Sequence, residues 1–307
     1  MARGGATLAL TFAAACAALT SCGQTGSDTG AIVFNGLIAA QRGNGGYFAE
    51  RPDGTHLRKL AFAVTDYDLS FSADGRFAAM WNTRPLKVEP IVVSRADGSG
   101  RHVVPLPANS SAVSPSLSPD GKRVAIVYTP NAYRGPGNVW TVAIDGHGLK
   151  RLTSTGNAIS AAWSPDGKRI VFVDQASVAE RTHGFGRMYV VKPDGTGLRR
   201  IARGLDPSWS PDARRIAFSD RKGRIAVVDA EGGQRRVVAR NGSGPAWSPD
   251  GKRLAFTRTI PCGSEDGCDQ AVFVVDAQGG RARRVGPEFG GPGELLWTTA
   301  VTGRSTG

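Results

Sequence analysis

The signatures of common catalysis are missing from this 307-residue chain: no Gly-x-Ser-x-Gly elbow, no His-Glu-x-x-His, no Gly-rich phosphate loop and no Asp-x-Asp-x-Asp-Gly calcium loop. Histidine is scarce as well, with four copies. His56 and His147 sit beside turn signals, His102 follows a turn on a basic strand, and His183 lies in the longest loop. None of them has an acid–base partner that the sequence identifies. Cysteine is equally rare at four, and acidic residues are outnumbered, 26 against 38 Lys and Arg, for a net charge of +12. In a cytosolic chain that excess suggests nucleic acid, but the N-terminus argues for export and against that partner.

Met1-Ala2-Arg3 carries one charge ahead of a small, apolar stretch from Ala6 to Leu19. This stretch is short for a membrane span and has the flanks of a signal peptide. Leu19-Thr20-Ser21-Cys22 then matches a bacterial lipobox, which places cleavage before Cys22 and lipidation on it. A diacylglyceryl group plus an amide-linked acyl chain such as palmitate meets the two-chain condition for stable anchoring. The alternative is an ordinary cleaved signal, with cleavage near Ala13–Ala18 and an incidental Cys22. Residues 22–30 contain the lipid-bearing cysteine and a tether with no apolar member after it. Cys16 leaves with residues 1–21, so Cys262 and Cys268 remain, six apart in one loop. With no His or further Cys at ligand spacing, the oxidising side of the membrane makes a disulfide the expectation there, contributing about 2 kcal/mol by loop closure.

What the chain has in abundance is repetition. Ser116-Leu117-Ser118-Pro119-Asp120-Gly121-Lys122-Arg123 is echoed from Ala162, Ser208 and Ala246, and more loosely from Ser70. The anchor residues Phe71, Leu117, Trp163 and Trp209 are 46 apart, and Trp247 follows at 38. A period of this size marks a repeat architecture. Ser-Pro-Asp-Gly is a type I turn signal, and each copy is followed by an apolar run such as Val124–Val127 or Ile170–Val173. A second turn recurs at Asp53-Gly54, Asp97-Gly98, Asp145-Gly146, Asp194-Gly195, Glu231-Gly232 and Gln278-Gly279. Asp-Gly between apolar runs suggests a type I′ hairpin. The near-continuous apolar runs read as strands buried on both faces. The first repeat has Ala31–Phe34 but no preceding turn motif, whereas Leu295-Leu296-Trp297-Thr298 stands alone at the other end. The expectation is that this segment supplies the innermost strand of the first repeat. A solenoid needs polar caps, and none is present.

These segments resemble the TolB-type, WD-repeat-like β-propeller family over about residues 31–300. The resemblance implies an all-β fold: a six-bladed β-propeller of four-stranded antiparallel blades over residues 31–307, closed by the C-terminal strand. The sequence departs at Phe71 and Ala73, at Ala213, and in the first repeat, always within the turn. Related propellers gate serine oligopeptidases, and a chain ending at Gly307 is expected to leave no room for such a domain. Others are lyases that work in the central funnel, which keeps a small envelope hydrolase or lyase with His183 as general base as the alternative. A purely structural envelope component is a third reading.

Loops between second and third strands share a face with the loops between blades, and here they are long and uneven. Arg42, Tyr133, Arg134, Arg181, His183 and Arg187 fall in or beside them and form the candidate binding face. Asp66 and Asp68 could hold a cation, but paired loop carboxylates ordinarily face water. Basic residues recurring with the repeat read mainly as solvated strand ends. The expected function is a lipid-anchored, extracytoplasmic, monomeric module without cofactor or metal that binds an envelope protein or anionic envelope polymer, with no catalysis evident. Lipidation predicts that the chain sediments with membranes and incorporates a palmitate analogue, and that Cys22→Ala abolishes both. Unlabelled wild-type protein refutes it.

Overall fold

The computed structural model describes residues 31–38, 46–53, 55, 57–60, 66–72, 75–84, 87–130, 137–175, 185–260, 270–290 and 295–298. Among these residues the regular elements are β-strands, and every paired ladder is antiparallel. The first group is β1 (Ala31–Ile38), β2 (Gly46–Glu50) and β3 (Arg58–Lys59). The second is β4 (Asp66–Phe71), β5 (Phe77–Arg84), β6 (Lys87–Arg95) and β7 (His102–Val103). The third is β8 (Ser111–Leu117), β9 (Arg123–Thr129), β10 (Asn138–Ala143) and β11 (Lys150–Arg151). Then come β12 (Ala158–Trp163), β13 (Ile170–Asp174), β14 (Gly186–Val191) and β15 (Arg199–Trp209), followed by β16 (Arg215–Ser219), β17 (Arg224–Asp229) and β18 (Arg236–Arg240). The last are β19 (Ser243–Trp247), β20 (Arg253–Thr259), β21 (Gln270–Asp276), β22 (Arg283–Gly290) and β23 (Leu295–Thr298).

Consecutive strands pair as meanders. The second and third groups are separate four-stranded sheets, in the orders β4-β5-β6-β7 and β8-β9-β10-β11. Strand β15 serves two ladders: its first half pairs with β14 and its second half with β16, so β12 to β18 form one hydrogen-bonded path. In the remaining sheet β23 lies antiparallel to β1, with Ala31 opposite Thr298 and Phe34 opposite Leu295. This is the pairing expected of the isolated C-terminal segment. Strand β22 also touches β1, through Leu37 and Ile38.

The local chemistry of each repeat explains its shape. Gly121 N–H donates to Ser118 O at 2.9 Å, and the same bond recurs at Gly167, Ala213 and Gly251. The serine hydroxyl donates to the turn aspartate, 2.6 Å in Ser164–Asp166, and accepts from the backbone of Arg169 at 2.9 Å. The Asp120 carboxyl is held below its usual range by the Ser118 hydroxyl and then the Lys122 N–H. The second turn differs from the type I′ expectation. Gly146 (φ 88), Gly98 (φ 84) and Gly195 (φ 90) are left-handed, but the aspartates before them are not. Gly146 N–H reaches Ala143 O at 2.8 Å, which makes a type I turn followed by one left-handed residue.

The core lies between sheets. One cluster joins β5 and β6 to β8, β9 and β10 through Ala79, Ile91, Ile126 and Val142; another joins β13 and β14 to β16 and β17 through Val173, Met188, Phe218 and Val228. A third brings Phe48 of β2 against Val274, Val285 and Leu295 near the other end of the chain. Burial on both faces explains the continuous apolar runs, each large side chain contributing about 1.5–3 kcal/mol.

The turn glycines all sit near φ 69, and Ala213 holds that place at φ 56. A Cβ at Gly167 or Gly251 would meet only a proline ring at 3.6 Å, whereas at Gly121 it would meet the Phe77 ring at 2.9 Å. Gly167→Ala and Gly251→Ala are therefore expected to cost about 1 kcal/mol of backbone strain. Gly121→Ala should cost about 1–3 kcal/mol more from overpacking. Urea midpoints check the order, and three equal costs would contradict it.

Candidate functional site

Strands β4, β8, β12, β15 and β19, the inner strands, line a channel of about 920 Å³. Each of these strands carries a register irregularity, which in β15 falls in its second half. Two residues face one across the ladder: Asp68 and Leu69, Ser114 and Pro115, Asp206 and Pro207, Gly244 and Pro245. The first residue of each pair is left-handed: Asp68 (φ 52), Ser114 (φ 53), Asp206 (φ 52) and Gly244 (φ 58). A left-handed non-glycine costs strain, and Asp tolerates it better than most. The irregularity in β12 is different, falling between Ala158 and Ser160 without a left-handed residue.

The bulges exist to bond sheet to sheet. Ser114 N–H donates to Asp68 Oδ2 at 3.0 Å across 46 residues of sequence. Ala161 N–H donates to Ser114 Oγ at 3.3 Å. Gly244 N–H donates to Asp206 Oδ2 at 3.3 Å, and that oxygen also accepts from Ser219 Oγ at 3.0 Å. One residue pair deeper, Leu117 N–H donates to Ser70 Oγ and Trp163 N–H to Ser116 Oγ, both at 3.0 Å. Two indoles bond across in the same layer: Trp209 Nε1–H donates to Ala162 O at 3.1 Å. Trp247 Nε1–H does the same to Ser208 O at 3.1 Å. The series breaks between β12 and β15, where Ser160 follows an irregularity without a left-handed residue and makes no such bond. Ser160 Oγ is buried there without a described partner.

Charge in the channel is one-sided. Its lining includes Asp68 and Asp206 and, among the described residues, no Lys, Arg or His, although the whole chain is at +12. Burial raises the Asp68 carboxyl above its usual range, and the Ser114 N–H only partly offsets this. The sequence reading set Asp68 aside as a loop carboxylate; it stands instead in a strand on the channel wall. Its signal was its column: Asp68, Ser114, Ser160 and Asp206 are each 46 apart, three residues ahead of the apolar anchor.

Basic residues gather outside the channel. In each Lys/Arg-Arg pair the first member (Lys122, Lys168, Arg214, Lys252) is exposed, as expected of a strand end. The second members Arg169 and Arg215 correct that reading. The Arg169 guanidinium lies 5.1 Å over the Trp209 ring and donates to Ala213 O at 2.6 Å, and Arg215 lies 4.7 Å over Trp247. They clamp one sheet to the next.

The bulge ends of β4, β12 and β19 pair with the ends of second strands that lead into long loops: Asp66 with Asn82, Ala158 with Asp174, Ser243 with Thr257. The acidic channel mouth and the expected loop face are therefore the same side. Arg187 stands there, half-buried at the start of β14 opposite Asp174. Arg42, Tyr133, Arg134, Arg181, His183, Cys22, Cys262 and Cys268 lie outside the described residues. Among the described residues no three His, Cys, Asp or Glu side chains gather at metal-binding distance.

No protein-family model matches the sequence, and no curated protein matches it. Solved structures do. TolB from Acinetobacter baumannii superposes with a TM-score of 0.64 at 17% identity, covering 89% of this chain and 67% of that one. The fold is a TolB-like β-propeller. A chain of a nidogen/laminin complex gives 0.63 at 14% identity over 88% of this chain and 99% of the other. Oligogalacturonate lyase from Vibrio parahaemolyticus gives 0.57 at 12%, over 83% and 79%. At these identities the likeness concerns the fold, and the propeller is shared by proteins with different tasks.

The channel wall of this propeller makes a pH-dependent prediction. With its native pKa raised, Asp68 releases its proton at higher pH in the folded chain than in the unfolded one. It therefore subtracts stability as pH climbs from the unfolded value of about 3.9 through the raised native value. Asp68→Asn retains an acceptor for Ser114 N–H and tolerates φ 52, so it should match wild type near pH 3 and melt higher at pH 7. Asp68→Ala loses the acceptor and should cost about 1–3 kcal/mol relative to Asn. Thermal midpoints across pH check both, and a constant Asn–Asp difference would contradict the assignment.

Proposed function

We propose that this chain is a lipid-anchored, extracytoplasmic propeller of six blades that binds a partner protein at the mouth of its central channel. Closure of the ring is supported by the β1–β23 ladder, by the Phe48–Leu295 cluster, and by Arg283 Nη2, which donates to Pro52 O at 2.8 Å. That last bond matches Arg236 to Ala277 O and Arg199 to Ala230 O between other neighbouring repeats. Anchoring through Cys22, a tether over residues 23–30 and a Cys262–Cys268 disulfide complete the proposal from the sequence.

The observation that carries the binding role is how the channel's polar groups are used. Its carboxylates accept main-chain N–H bonds from neighbouring sheets and act as staples, which leaves them poorly placed to cycle protons. What remains is a rigid cavity of about 920 Å³, lined by prolines, aromatics and a few fixed polar atoms, which is the make-up of a ligand site. Two carboxylates without a basic neighbour favour a protein over an anionic polymer. The loops that carry Arg42, Tyr133, Arg134, Arg181 and His183 would extend this surface.

Ser160 lines the channel and its hydroxyl stabilises nothing described, so Ser160→Phe fills the cavity without removing a staple. Crosslinking in envelopes, with partners identified from the wild-type chain, should show their recovery falling at least tenfold in this variant while its melting curve stays intact. Undiminished recovery refutes the channel as the binding site.

A further inference from the structure

Resting on the channel as the binding site, we propose that its mouth receives a basic side chain, lysine or arginine, carried on a short segment of the partner polypeptide. The charge pattern points there. A chain with 38 basic residues keeps all of them out of the described channel wall and places Asp68 and Asp206 in it. Among the described residues each carboxylate is tied through Oδ2. Among the described residues neither Oδ1 has a hydrogen-bond donor. Two pre-oriented acceptors therefore face the cavity, one of them already desolvated enough for burial to raise its proton affinity. Ser160 Oγ supplies a third polar atom without a described partner.

Desolvation makes such a site selective. An ionised carboxylate that burial disfavours gains most from an incoming cation, since the cation restores what water gave. The rest of the lining suits the stem of a basic side chain: Pro115, Pro207 and Pro245 at the bulges and Trp163, Trp209 and Trp247 further in. Lysine and arginine lay their methylenes along such surfaces and keep the charged head at the polar atoms. A hard divalent ion fits less well. Calcium takes six to eight oxygens, and the described wall supplies two carboxylates on sheets that are not neighbours. The cavity volume admits several residues of an extended peptide, so the basic group would arrive with its flanking backbone.

The test uses the full chain and three capped tripeptides, Ala-Lys-Ala, Ala-norleucine-Ala and Ala-Glu-Ala, with calcium as a fourth probe. Calorimetry and thermal midpoints should show the lysine peptide binding at least tenfold tighter than the norleucine one, which shares its stem and lacks its charge. Added salt should weaken it. Asp68→Asn and Asp206→Asn keep their acceptors and should each reduce affinity about tenfold. Equal binding of norleucine, unaltered lysine binding in the double variant, or calcium displacing the lysine peptide would each overturn the inference. Partner recovery that is lost in Ser160→Phe yet retained in the double Asn variant leaves the channel reading standing and removes the cation. Recovery retained in Ser160→Phe removes the channel reading itself.

Discussion

The structure depends on a bond between strands that belong to different sheets. Within a sheet the ladder satisfies the backbone, but the innermost strands lie around a channel and have no ladder across it. The main-chain N–H groups there would be orphaned without partners, at a cost comparable to a lost hydrogen bond. The chain solves this with a bulge that swings one residue into the left-handed region and aims its side chain at the next strand. Asp68 reaches Ser114 and Asp206 reaches Gly244 in this way, and Ser70 and Ser116 repeat it one layer deeper. Strain at φ 52 is offset because each staple helps satisfy an N–H of the next sheet, Ser114 N–H through Asp68 and Gly244 N–H through Asp206 together with Ser219 Oγ.

Around this inner ring the outer contacts follow a related logic. After two of the turns the arginine, Arg169 or Arg215, crosses to the neighbouring tryptophan, and that tryptophan donates its own N–H back to the preceding strands. One indole thus receives a cation on its face and gives a hydrogen bond at its edge, joining two sheets through a single side chain. Where the first layer of staples fails, between β12 and β15, Trp209 keeps the connection. Ser160 is left over, and a polar atom without structural duty on a channel wall is a place for a ligand to bond.

Much of the fold was legible in the sequence because the turn is rigid chemistry. Ser-Pro-Asp-Gly fixes its own bonds, so Leu117, Trp163, Trp209 and Trp247 could be aligned and the strands after them read off. The pairing of Leu295–Thr298 with β1 followed from the missing turn in the first repeat. The hairpin type did not follow, because Asp-Gly satisfies both a type I′ turn and a type I turn with a left-handed glycine, and only strand register separates them. The channel acids were harder to find. Their column holds Asp, Ser, Ser, Asp and Gly, which no pattern of residue type unites. What unites four of them, Asp68, Ser114, Asp206 and Gly244, is a left-handed backbone conformation, invisible until the strands stand side by side. The roles of Arg169 and Arg215 were hidden likewise, since a strand-end arginine and an inter-sheet clamp look alike in one dimension.

Position decides which of two physical needs a carboxylate serves, and at Asp68 the two meet. As a staple it could be asparagine, or serine as at residue 114, without an ionised group held in a partly dehydrated wall. Keeping aspartate lowers native stability at neutral pH, since burial opposes its charge. The staple gains nothing from that charge that a neutral acceptor would not give. An incoming cation, by contrast, gains directly, because its attraction to the carboxylate grows as the surrounding water is removed. The same burial that makes Asp68 costly in the empty channel makes it effective in a filled one. A neutral staple would give a more stable propeller with a less discriminating mouth.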